Sequence, residues 1–449
     1  MAGADSSPLI TSRADLIEAM SRGGKPKSEW RVGTEHEKHV YRKDPLRPVQ
    51  YEGDDGIAAL LEGIRQRTGW HYFYDRDTPI GLRNLTPVGG ISLEPGGQFE
   101  LSGAPHETIH DSAEELRSHL EDCRAIGGPL NIHFLGLGVT PVWSVAELKR
   151  MPKSRYGIMT PYMDKVGTLG TSMMYRSATV QANLDFSDEA DMVKKLRVSL
   201  ALQPVVTALF ANSPFVDGKP SGYLSFRSHI WLNTDNARTG MLPFVFDEGF
   251  GFDRYAEHAL DVPMYFVIRN KQYINVSGES FRAFQRGELP QLPGEKPTIV
   301  DWENHLSTLF PEVRLKQFLE MRGADMGDEA HINALSALWV GLLYDAEALE
   351  EAWQHVKNWT VDEMWKLRND VPMHAIHTPF RGCMVSDIAR EVVGVARQGL
   401  IRRGLGEEKY LAPLEETLVL NKTPAERWLD KYNGEWNGDL SRIFDEAEI

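Results

Sequence analysis

Glutamates recur at short, regular spacing in two segments of this chain that are predicted as β-strand, GTEHE and ISLEPGGQFELSG. Glu35 and Glu37 lie two residues apart, so on a strand both point to the same face. Glu94 and Glu100 fall on the polar positions of the second segment, opposite its apolar residues. Several carboxylates on one face repel each other unless cations lie among them. The pattern favours hard divalent ions such as magnesium and, with them, phosphate chemistry.

Three further predicted strands also carry polar residues at even spacing. The first carries Gln181 and Asn183, the second carries Arg227, His229 and Trp231, and the third carries Glu320 and Arg322. An antiparallel sheet that shows one polar face to water remains an alternative for any single strand. However, a solvated face usually carries Lys, Thr and Ser, whereas these are metal-ligating and anion-binding residues. We therefore expect acidic side chains from distant strands to converge on one site for divalent cations.

The elements that would position these residues follow from hydrophobic periodicity. Alternation predicts strands at 30–41, 132–139, 175–186, 224–233, 264–268 and 313–322, and two paired strands within 91–103 that are joined by the Pro-Gly-Gly turn at 95–97. Helical spacing predicts helices between them and, from residue 329, a mostly helical remainder. No repeat or linker separates these parts. The prediction is an α+β fold in which residues 1–449 form a single catalytic domain, with 329–449 as its mostly helical C-terminal part.

Composition and charge exclude several classes of function. The chain has 449 residues, 42% of them hydrophobic, and a net charge of −15. An acidic chain without a basic stripe is not expected to bind nucleic acid or an anionic membrane surface. No apolar run is long enough to span a bilayer. Cys123 and Cys383 form no CxxC pair, which excludes a zinc framework and is typical of a reducing compartment. A cytoplasmic location is expected.

The familiar short motifs of other enzyme classes are missing from the sequence. It has no GxxxxGK[ST] phosphate loop, no GxGxxG after a strand and no GxSxG elbow. The run HEKH at 36–39 has one residue too few for a zinc-protease helix. Two weaker candidates remain. Lys153 or Arg155 could lie near phosphates, although a solvated loop is the plainer reading, and Tyr265 could line a side-chain pocket or be a core aromatic residue.

Taken together, the motifs resemble glutamate–cysteine ligases of the plant type, a family also found in many proteobacteria. The resemblance rests on GTEHE (33–37), SLEPGGQFELSGAP (92–105), TVQANLDF (179–186), RSHIW (227–231), PFVF (243–246), FPEVRL (310–315), EMRGAD (320–325), WVGLLYD (339–345) and YNGEW (432–436). These motifs are long and are distributed over most of the chain.

The resemblance implies a fold similar to glutamine synthetase and the guanidino kinases, a curved, largely antiparallel sheet with surrounding helices. It implies ATP-dependent joining of the γ-carboxyl of L-glutamate to the amine of L-cysteine through γ-glutamyl phosphate, the first step of glutathione biosynthesis. The implied cofactor is Mg²⁺, as two or three ions, and the implied assembly is a monomer or a homodimer. A glutamate ligase of the same fold that uses a different amine is the alternative.

The resemblance also assigns roles to individual residues. It implies magnesium binding by Glu35, Glu37, Glu94, Glu100 and Glu320. It places Gln181 near the nucleotide phosphates, with Asn183 beside it, and Arg227 and Trp231 on the glutamate substrate, where Tyr265 is a further candidate. Arg322 would steady the transferred phosphoryl group, so that Arg227 and Arg322 are the expected catalytic residues.

Plant members of the family carry cysteine pairs that act as a thiol switch. The matching positions in this sequence are Ser112, Val276, Gln291 and Ala334. Neither cysteine of this chain falls on them, so we expect that switch to be absent.

Overall fold

The computed structural model describes residues 7–86 and 88–449. The strands are β1 (Val32–Lys43), β2 (Leu46–Pro48), β3 (His71–Asp75), β4 (Thr78–Leu85), β5 (Val88–Leu93), β6 (Phe99–Ser102), β7 (His133–Leu135), β8 (Thr179–Leu184), β9 (Phe215–Val216), β10 (Lys219–Pro220), β11 (Thr239–Gly240), β12 (Phe266–Arg269), β13 (Gln272–Asn275), β14 (Phe310–Pro311), β15 (Val313–Leu315), β16 (Leu319–Asp325), β17 (Pro379–Phe380) and β18 (Cys383–Met384).

The helices surround these strands and dominate the last third of the chain. They are α1 (Arg13–Ser21), α2 (Ile57–Thr68), α3 (Ile109–Gly127), α4 (Ser154–Val166), α5 (Gly170–Arg176), α6 (Glu189–Leu209), α7 (Phe226–Trp231), α8 (Phe252–Asp261), α9 (Phe281–Arg286), α10 (Ile299–Leu306), α11 (Glu329–Leu343), α12 (Ala346–Val356), α13 (Val361–His374), α14 (Val385–Arg403), α15 (Ala412–Leu420), α16 (Pro424–Asn433) and α17 (Ile443–Glu446). In the described residues, no helix is both long and apolar enough to cross a membrane.

One ten-stranded sheet organises the molecule: eight strands follow the order β15-β16-β8-β1-β6-β5-β4-β3, and β2 and β7 join it by pairing with β1. β1 is its longest strand, and it pairs with β6 and β8 along its first half and with β2 and β7 along its second half. Neighbouring strands of this sheet run antiparallel throughout. The predicted α+β class with a largely antiparallel sheet is confirmed.

Helices α3, α6 and α11 cover the rear face of the sheet. Val180, Ala182 and Leu184 of β8 are fully or almost fully buried on that side, and α11 packs against both β8 and β1. The opposite parity of β8 carries the polar residues Gln181 and Asn183. Alternation along the strand therefore separates a packed face from a functional face, as the sequence predicts.

The rear face of β1 is polar as well as buried, although the sequence gives it no clean apolar pattern. His36 and Lys38 are at most 1% exposed, and Lys38 Nζ lies 2.9 Å from His36 Nδ1. Burial lowers the pKa of Lys38 to about 8. These side chains point away from the face that carries Glu35 and Glu37, because successive residues of a strand point to opposite faces of the sheet.

The strand predicted at 224–233 is wrong, because this segment forms the short helix α7. Ser225 begins the helix as its N-cap, and its side chain accepts a hydrogen bond from the Ser228 backbone N–H. Arg227 and Trp231 are four residues apart, a spacing that places two side chains on one face of a helix and equally on one face of a strand. The predicted strand at 175–186 is also too long, since α5 occupies its first residues and β8 begins at Thr179.

Candidate active site

A cavity of about 390 Å³ opens on the front face of the sheet, a volume in the range of small-molecule sites. Strands β1, β6, β8 and β16 supply its floor, and α4 and α7 supply its sides. Most of the residues that the sequence singles out lie on its wall: Glu35, Glu37, Glu94, Glu100, Gln181, Arg227, Trp231 and Arg322. Residues from distant parts of the chain therefore share one enclosed space.

The acidic side of the cavity contains like charges at close range. Glu37 and Glu100 are directly opposite each other in the β1–β6 pairing, an arrangement that destabilises a sheet when both are ionised. Burial, with repulsion from Glu100 and Glu94, raises the pKa of Glu37 well above its usual value. Burial, with repulsion from Glu94 and Glu35, raises the pKa of Glu100 to about 7. A cation among these groups would relieve the repulsion.

Each of the four carboxylates is oriented by one hydrogen bond to a neighbouring element. The Ser92 hydroxyl donates to Glu100 at 2.6 Å, and the Thr179 backbone N–H donates to Glu37 at 3.0 Å. The remaining two bonds run from Asn183 Nδ2 to Glu35 at 2.8 Å and from the Tyr156 hydroxyl to Glu94 at 3.2 Å. Strands β5 and β8 and helix α4 thus fix the acidic wall.

The carboxylates do not form a ready-made metal cage. Among the residues that the structure describes, no three His, Cys, Asp or Glu side chains converge closely enough to hold one ion. The expected convergence on a single cation site is therefore met only in part, because the glutamates share a cavity without meeting at one point. Magnesium is commonly bound by one or two carboxylates together with substrate phosphates and water, and this arrangement suits such binding.

Glu320 lies beneath the cavity wall and is fully buried. Its oxygens accept from Arg314 at 2.7 and 2.9 Å and from Arg322 at 2.7 Å, and Lys316 lies 3.3 Å away. Burial alone would raise the pKa of Glu320, but these three cations outweigh it and hold the pKa well below its usual value. The structure thus places this predicted magnesium ligand in an ion-pair network.

The cationic side of the cavity is built by β16 and α7. Arg322 Nη1 also donates to Gln181 at 2.8 Å, and Arg227 Nη2 donates to the backbone carbonyl of Arg322 at 2.9 Å. The Arg227 guanidinium lies 5.8 Å from the Trp231 ring centroid. His229 points elsewhere and stacks on Tyr223, with the ring centroids 4.1 Å apart. Of the three polar residues predicted in this segment, the helical geometry of α7 therefore directs only Arg227 and Trp231 into the cavity.

Lys153, Arg155 and Tyr156 at the start of α4 lie on the cavity wall, whereas a solvated loop was the plainer expectation for Lys153 and Arg155. Lys153 is only 6% exposed, and it donates to the Leu93 carbonyl and to Tyr156 at 3.4 and 3.2 Å. Burial, with the charge of Arg155 beside it, lowers the pKa of Lys153 to about 8. In the sequence these three residues stand within four positions of one another, but no periodicity marks them as wall residues.

A second cavity of about 750 Å³ adjoins the first and shares Glu35, Arg83 and Ser92 with it. Asn183 lies on the wall of this second cavity. Two cationic side chains, Lys25 and Arg31, also border it. The predicted nucleotide residues therefore face two connected spaces, with Gln181 and Arg322 in the first.

Tyr265 does not belong to this group of residues, in contrast to its prediction as a substrate-binding residue. It is 1% exposed, its hydroxyl contacts the sulfur of Met163 at 3.6 Å, and the Arg238 guanidinium lies 3.9 Å from its ring centroid. It lines neither cavity. Its position is that of a core aromatic residue, the alternative that the sequence left open.

Both cysteines are free thiols, Cys123 buried and Cys383 partly exposed. Burial raises the pKa of the Cys123 thiol to about 12, which makes it a poor nucleophile.

Comparison with known proteins identifies close relatives over almost the whole chain. The chain is 52% identical over 435 residues to glutamate–cysteine ligase B, chloroplastic, of Oryza sativa subsp. japonica, covering 97% of this chain and 87% of the relative. It is 52% identical to the chloroplastic glutamate–cysteine ligase of Arabidopsis thaliana, covering 97% and 82%. These chloroplastic relatives contradict the cytoplasmic location expected from the sequence.

A solved structure shares the fold. Glutamate–cysteine ligase from Francisella tularensis, determined in complex with AMP, superposes with a TM-score of 0.55 at 13% sequence identity, covering 93% of this chain and 87% of that one.

A family model described as "Glutamate-cysteine ligase family 2(GCS2)" matches residues 31–446. The match covers all ten strands of the sheet and the helices α3, α6 and α11 that pack on its rear face. Together with the relatives, it confirms the predicted family and the predicted ligase class. The chain belongs to the glutamate–cysteine ligase family 2.

Proposed function

We propose that this protein joins the γ-carboxyl of L-glutamate to the amine of L-cysteine, with ATP and Mg²⁺, through a γ-glutamyl phosphate. The observation that carries the proposal is the division of one cavity into an acidic wall and a cationic wall. Glu35, Glu37, Glu94 and Glu100 form the first, and Arg227 and Arg322 belong to the second. Phosphoryl transfer to a carboxylate needs charge stabilisation and positioning of this kind.

The donor set of the acidic wall suits magnesium. All four side chains are carboxylates, the hard oxygen donors that Mg²⁺ prefers, and they come in neighbouring positions that repel each other without a cation. We assign the ions, two or three of them, to these glutamates and to the ATP phosphates. Magnesium supplies charge neutralisation of the triphosphate and polarisation of the transferred phosphoryl group.

Glu320 and Arg322 form an ion pair that the substrates would rearrange. Arg322 steadies the transferred phosphoryl group in this proposal, and on doing so it gives up its bond to Glu320 Oε2. Oε2 would then keep a single donor, Arg314 Nε at 2.7 Å, and would have a lone pair available to a magnesium ion, while Arg314 Nη2 holds the other oxygen at 2.9 Å. The pair thus keeps both side chains in place until ATP arrives.

The two connected cavities divide the substrates between them. L-Glutamate lies in the first cavity, held by Arg227 and Trp231, with its γ-carboxylate toward the acidic wall. The nucleoside of ATP extends into the second cavity past Asn183. Gln181 and Arg322, on the wall of the first cavity, lie next to the phosphates.

The reaction follows from this placement. A γ-carboxylate oxygen of glutamate attacks the terminal phosphorus of ATP in line, and ADP departs, which leaves γ-glutamyl phosphate. The amine of cysteine then attacks the acyl carbon, phosphate leaves and the ammonium loses a proton. The oxyanion of the tetrahedral intermediate needs positive charge nearby. Arg155 and Lys153 on the α4 side complete the cationic lining.

The organisation of the whole chain belongs to the same proposal. We assign the fold to the group of glutamine synthetase and the guanidino kinases, and we take residues 1–449 as one catalytic unit. Support comes from the single ten-stranded sheet, against which α11 of the C-terminal part packs directly. The working assembly is a monomer or a homodimer, which light scattering of the purified protein would decide.

Replacing one acidic residue tests the metal assignment. In Glu94→Ala the loss of one ligand should lower the rate of ADP release with ATP, glutamate and cysteine by at least about 100-fold, because metal-bound charge stabilisation contributes several kcal/mol. Glu121→Ala, on the exposed side of α3, is the control. A folded Glu94→Ala protein with near-normal ADP release would refute the role.

A ligase for another amine is the remaining candidate. ADP formation measured across cysteine, 2-aminobutyrate, ammonia and methylamine, each with glutamate, separates the two. Preference for cysteine and 2-aminobutyrate supports the proposal, and preference for ammonia or methylamine supports the alternative.

A further inference from the structure

A small hollow lies behind the cationic wall of the first cavity, between α7, β14, β16 and α13. Its volume is about 10 Å³, close to the space that one water-sized atom needs. Arg227, Trp231, Phe310 and Arg322 border both the hollow and the first cavity, so the two spaces adjoin. Ser228 and Arg368 border only the hollow.

Four hydrogen-bond donors on this wall have no partner among the described residues: Arg227 Nε, Ser228 Oγ, Trp231 Nε1 and Arg368 Nη1. Arg227 and Ser228 are each 2% exposed and Arg368 is 1% exposed. A buried donor without a partner loses its hydrogen bonds to water without replacement, so even one such group is rare in a folded protein. Four of them around one hollow indicate that an acceptor occupies it when the protein works.

The charge of the wall identifies that acceptor as an anion. Three guanidinium groups, those of Arg227, Arg322 and Arg368, surround the hollow, and Glu312 is its only carboxylate among the lining residues described. The hollow is too small for a phosphate group, but it has room for one oxygen atom. A carboxylate that lies in the first cavity could place one oxygen there.

Arg368 is aimed at the hollow by two fixed contacts. Its Nε donates to Glu312 in a buried ion pair, and its Nη2 donates to the Ser228 carbonyl at 3.2 Å. Glu312 is itself held, because its backbone N–H donates to the Gly240 carbonyl at 2.9 Å. A planar guanidinium with two of its nitrogens fixed has no freedom to turn the third away.

We propose that the hollow receives one oxygen of the α-carboxylate of bound L-glutamate, and that Arg368 is a specificity-determining residue for it. The inference rests on the proposed function, in which the γ-carboxylate lies toward the acidic wall. The other end of the substrate then lies against Arg227 and reaches the hollow. Helix α13, far along the chain from the acidic strands, thereby takes part in recognising the substrate.

The experiment compares Arg368→Lys with the wild type on two substrates. 4-Aminobutyrate keeps the carboxylate that reacts and the amine but lacks the α-carboxylate. The lysine side chain of the variant keeps a positive charge beside Glu312, but it has no counterpart of Arg368 Nη1 to donate into the hollow. We expect the KM for L-glutamate to rise about 10- to 100-fold, the range of one lost charge-assisted hydrogen bond. The kcat/KM for 4-aminobutyrate, and the KM values for ATP and cysteine, should change less than about threefold.

Two further variants support the comparison. Ser228→Ala removes only the hydroxyl donor and should raise the KM for glutamate by a smaller factor, about threefold to tenfold. Arg390→Lys, on the exposed side of α14, is the matched control and should change nothing. Ser228→Ala alone decides the matter if Arg368→Lys does not fold.

Other results would overturn the inference. An equal loss on glutamate and 4-aminobutyrate would show that Arg368 only supports the fold. A rise in the KM for cysteine instead would assign the hollow to the other amino acid. Failure of the proposed function is distinguishable, because the wild-type protein would then release no ADP with glutamate and cysteine at all.

Discussion

Glu100 illustrates how the front face stores unfavourable charge. It lies opposite Glu37 in the sheet, and its pKa is raised to about 7 by burial and by its acidic neighbours. A carboxyl group whose pKa is higher in the folded protein than in the unfolded chain stabilises the fold only while it is protonated. Its contribution is fully present below about pH 4.5 and is lost as the pH rises through about 7.

The variant Glu100→Gln removes this dependence. Without magnesium, the wild type should lose up to roughly 3 kcal/mol of unfolding free energy between pH 5 and pH 8 from this group, whereas the variant should lose less. Adding Mg²⁺ should stabilise the wild type more at pH 8 than at pH 5, because the ionised carboxylates bind it. Urea unfolding at each pH, with and without MgCl2, measures both effects.

Exposed Glu18, replaced by Gln, is the control for that measurement. Identical pH profiles for the wild type and Glu100→Gln would show that the raised pKa does not govern the stability of this face.

At the scale of elements, α7 depends on a small polar network at its first turn. The Ser225 hydroxyl donates to Asp325 at 2.8 Å and accepts from the Ser228 N–H at 3.1 Å. The Ser213 hydroxyl donates to the same carboxylate at 2.6 Å and accepts from the Arg227 N–H at 3.1 Å. Asp325 ends β16, the strand that carries Arg322. One strand therefore fixes both halves of the cationic wall.

Removing the hydroxyl in Ser225→Ala should loosen α7. We expect the free energy of unfolding to fall by about 1–2 kcal/mol, the usual cost of a lost N-cap, and the KM for glutamate to rise several-fold because Arg227 and Trp231 lose their position. The KM for ATP should not change. Chemical unfolding and initial-rate kinetics measure these quantities.

Ser225→Thr keeps the hydroxyl and should restore both values toward the wild type. A threonine variant no better than the alanine variant, or an equal rise in the KM for ATP, would contradict the positioning role of this network.

Strand β16 contains a local irregularity in its pairing. Its pairing with β8 shifts register between Met321 and Ala324, next to Arg322. At Gly323 a Cβ atom would come within 2.5 Å of the buried Gln203 amide, so a larger residue would force the Gln203 side chain or the bulge to shift. Bulges of this kind re-aim side chains near active sites, which is consistent with the position of Arg322 between Glu320 and Gln181.

At the scale of the whole molecule, the helical C-terminal part completes the core of the sheet. α11 is buried from His331 to Leu343 and lies against β8 and β1. Without α11, the apolar residues on the rear face of β8 would be exposed to water. The acidic front face and the packed rear face therefore depend on residues from opposite ends of the chain.

We expect the full chain to unfold in one cooperative calorimetric transition and a chain ending at residue 328 to show none, because the rear face of its sheet is uncovered. Calorimetry and size-exclusion chromatography of both proteins provide the measurement. Val419→Lys, at an exposed position of α15, is the control for unspecific effects. A truncated protein that keeps a cooperative transition would contradict the view of the chain as one unit.

The sequence by itself determined the residues of the acidic wall and the strands β1, β6 and β8, because alternation along a strand is a local property of the backbone. It also determined the family, through long motifs. It could not distinguish a strand from a helix at α7, since the spacing of Arg227 and Trp231 satisfies both geometries.

Only the tertiary structure decided which cations meet which carboxylates. The pairing of Glu320 with Arg314 and Arg322, the entry of Lys153 and Arg155 into the cavity wall, and the removal of Tyr265 into the core all join segments far apart in the chain. So does the position of Arg368 behind the cationic wall. Such contacts depend on how helices pack on the two faces of the sheet, and no periodicity within a single segment encodes that packing.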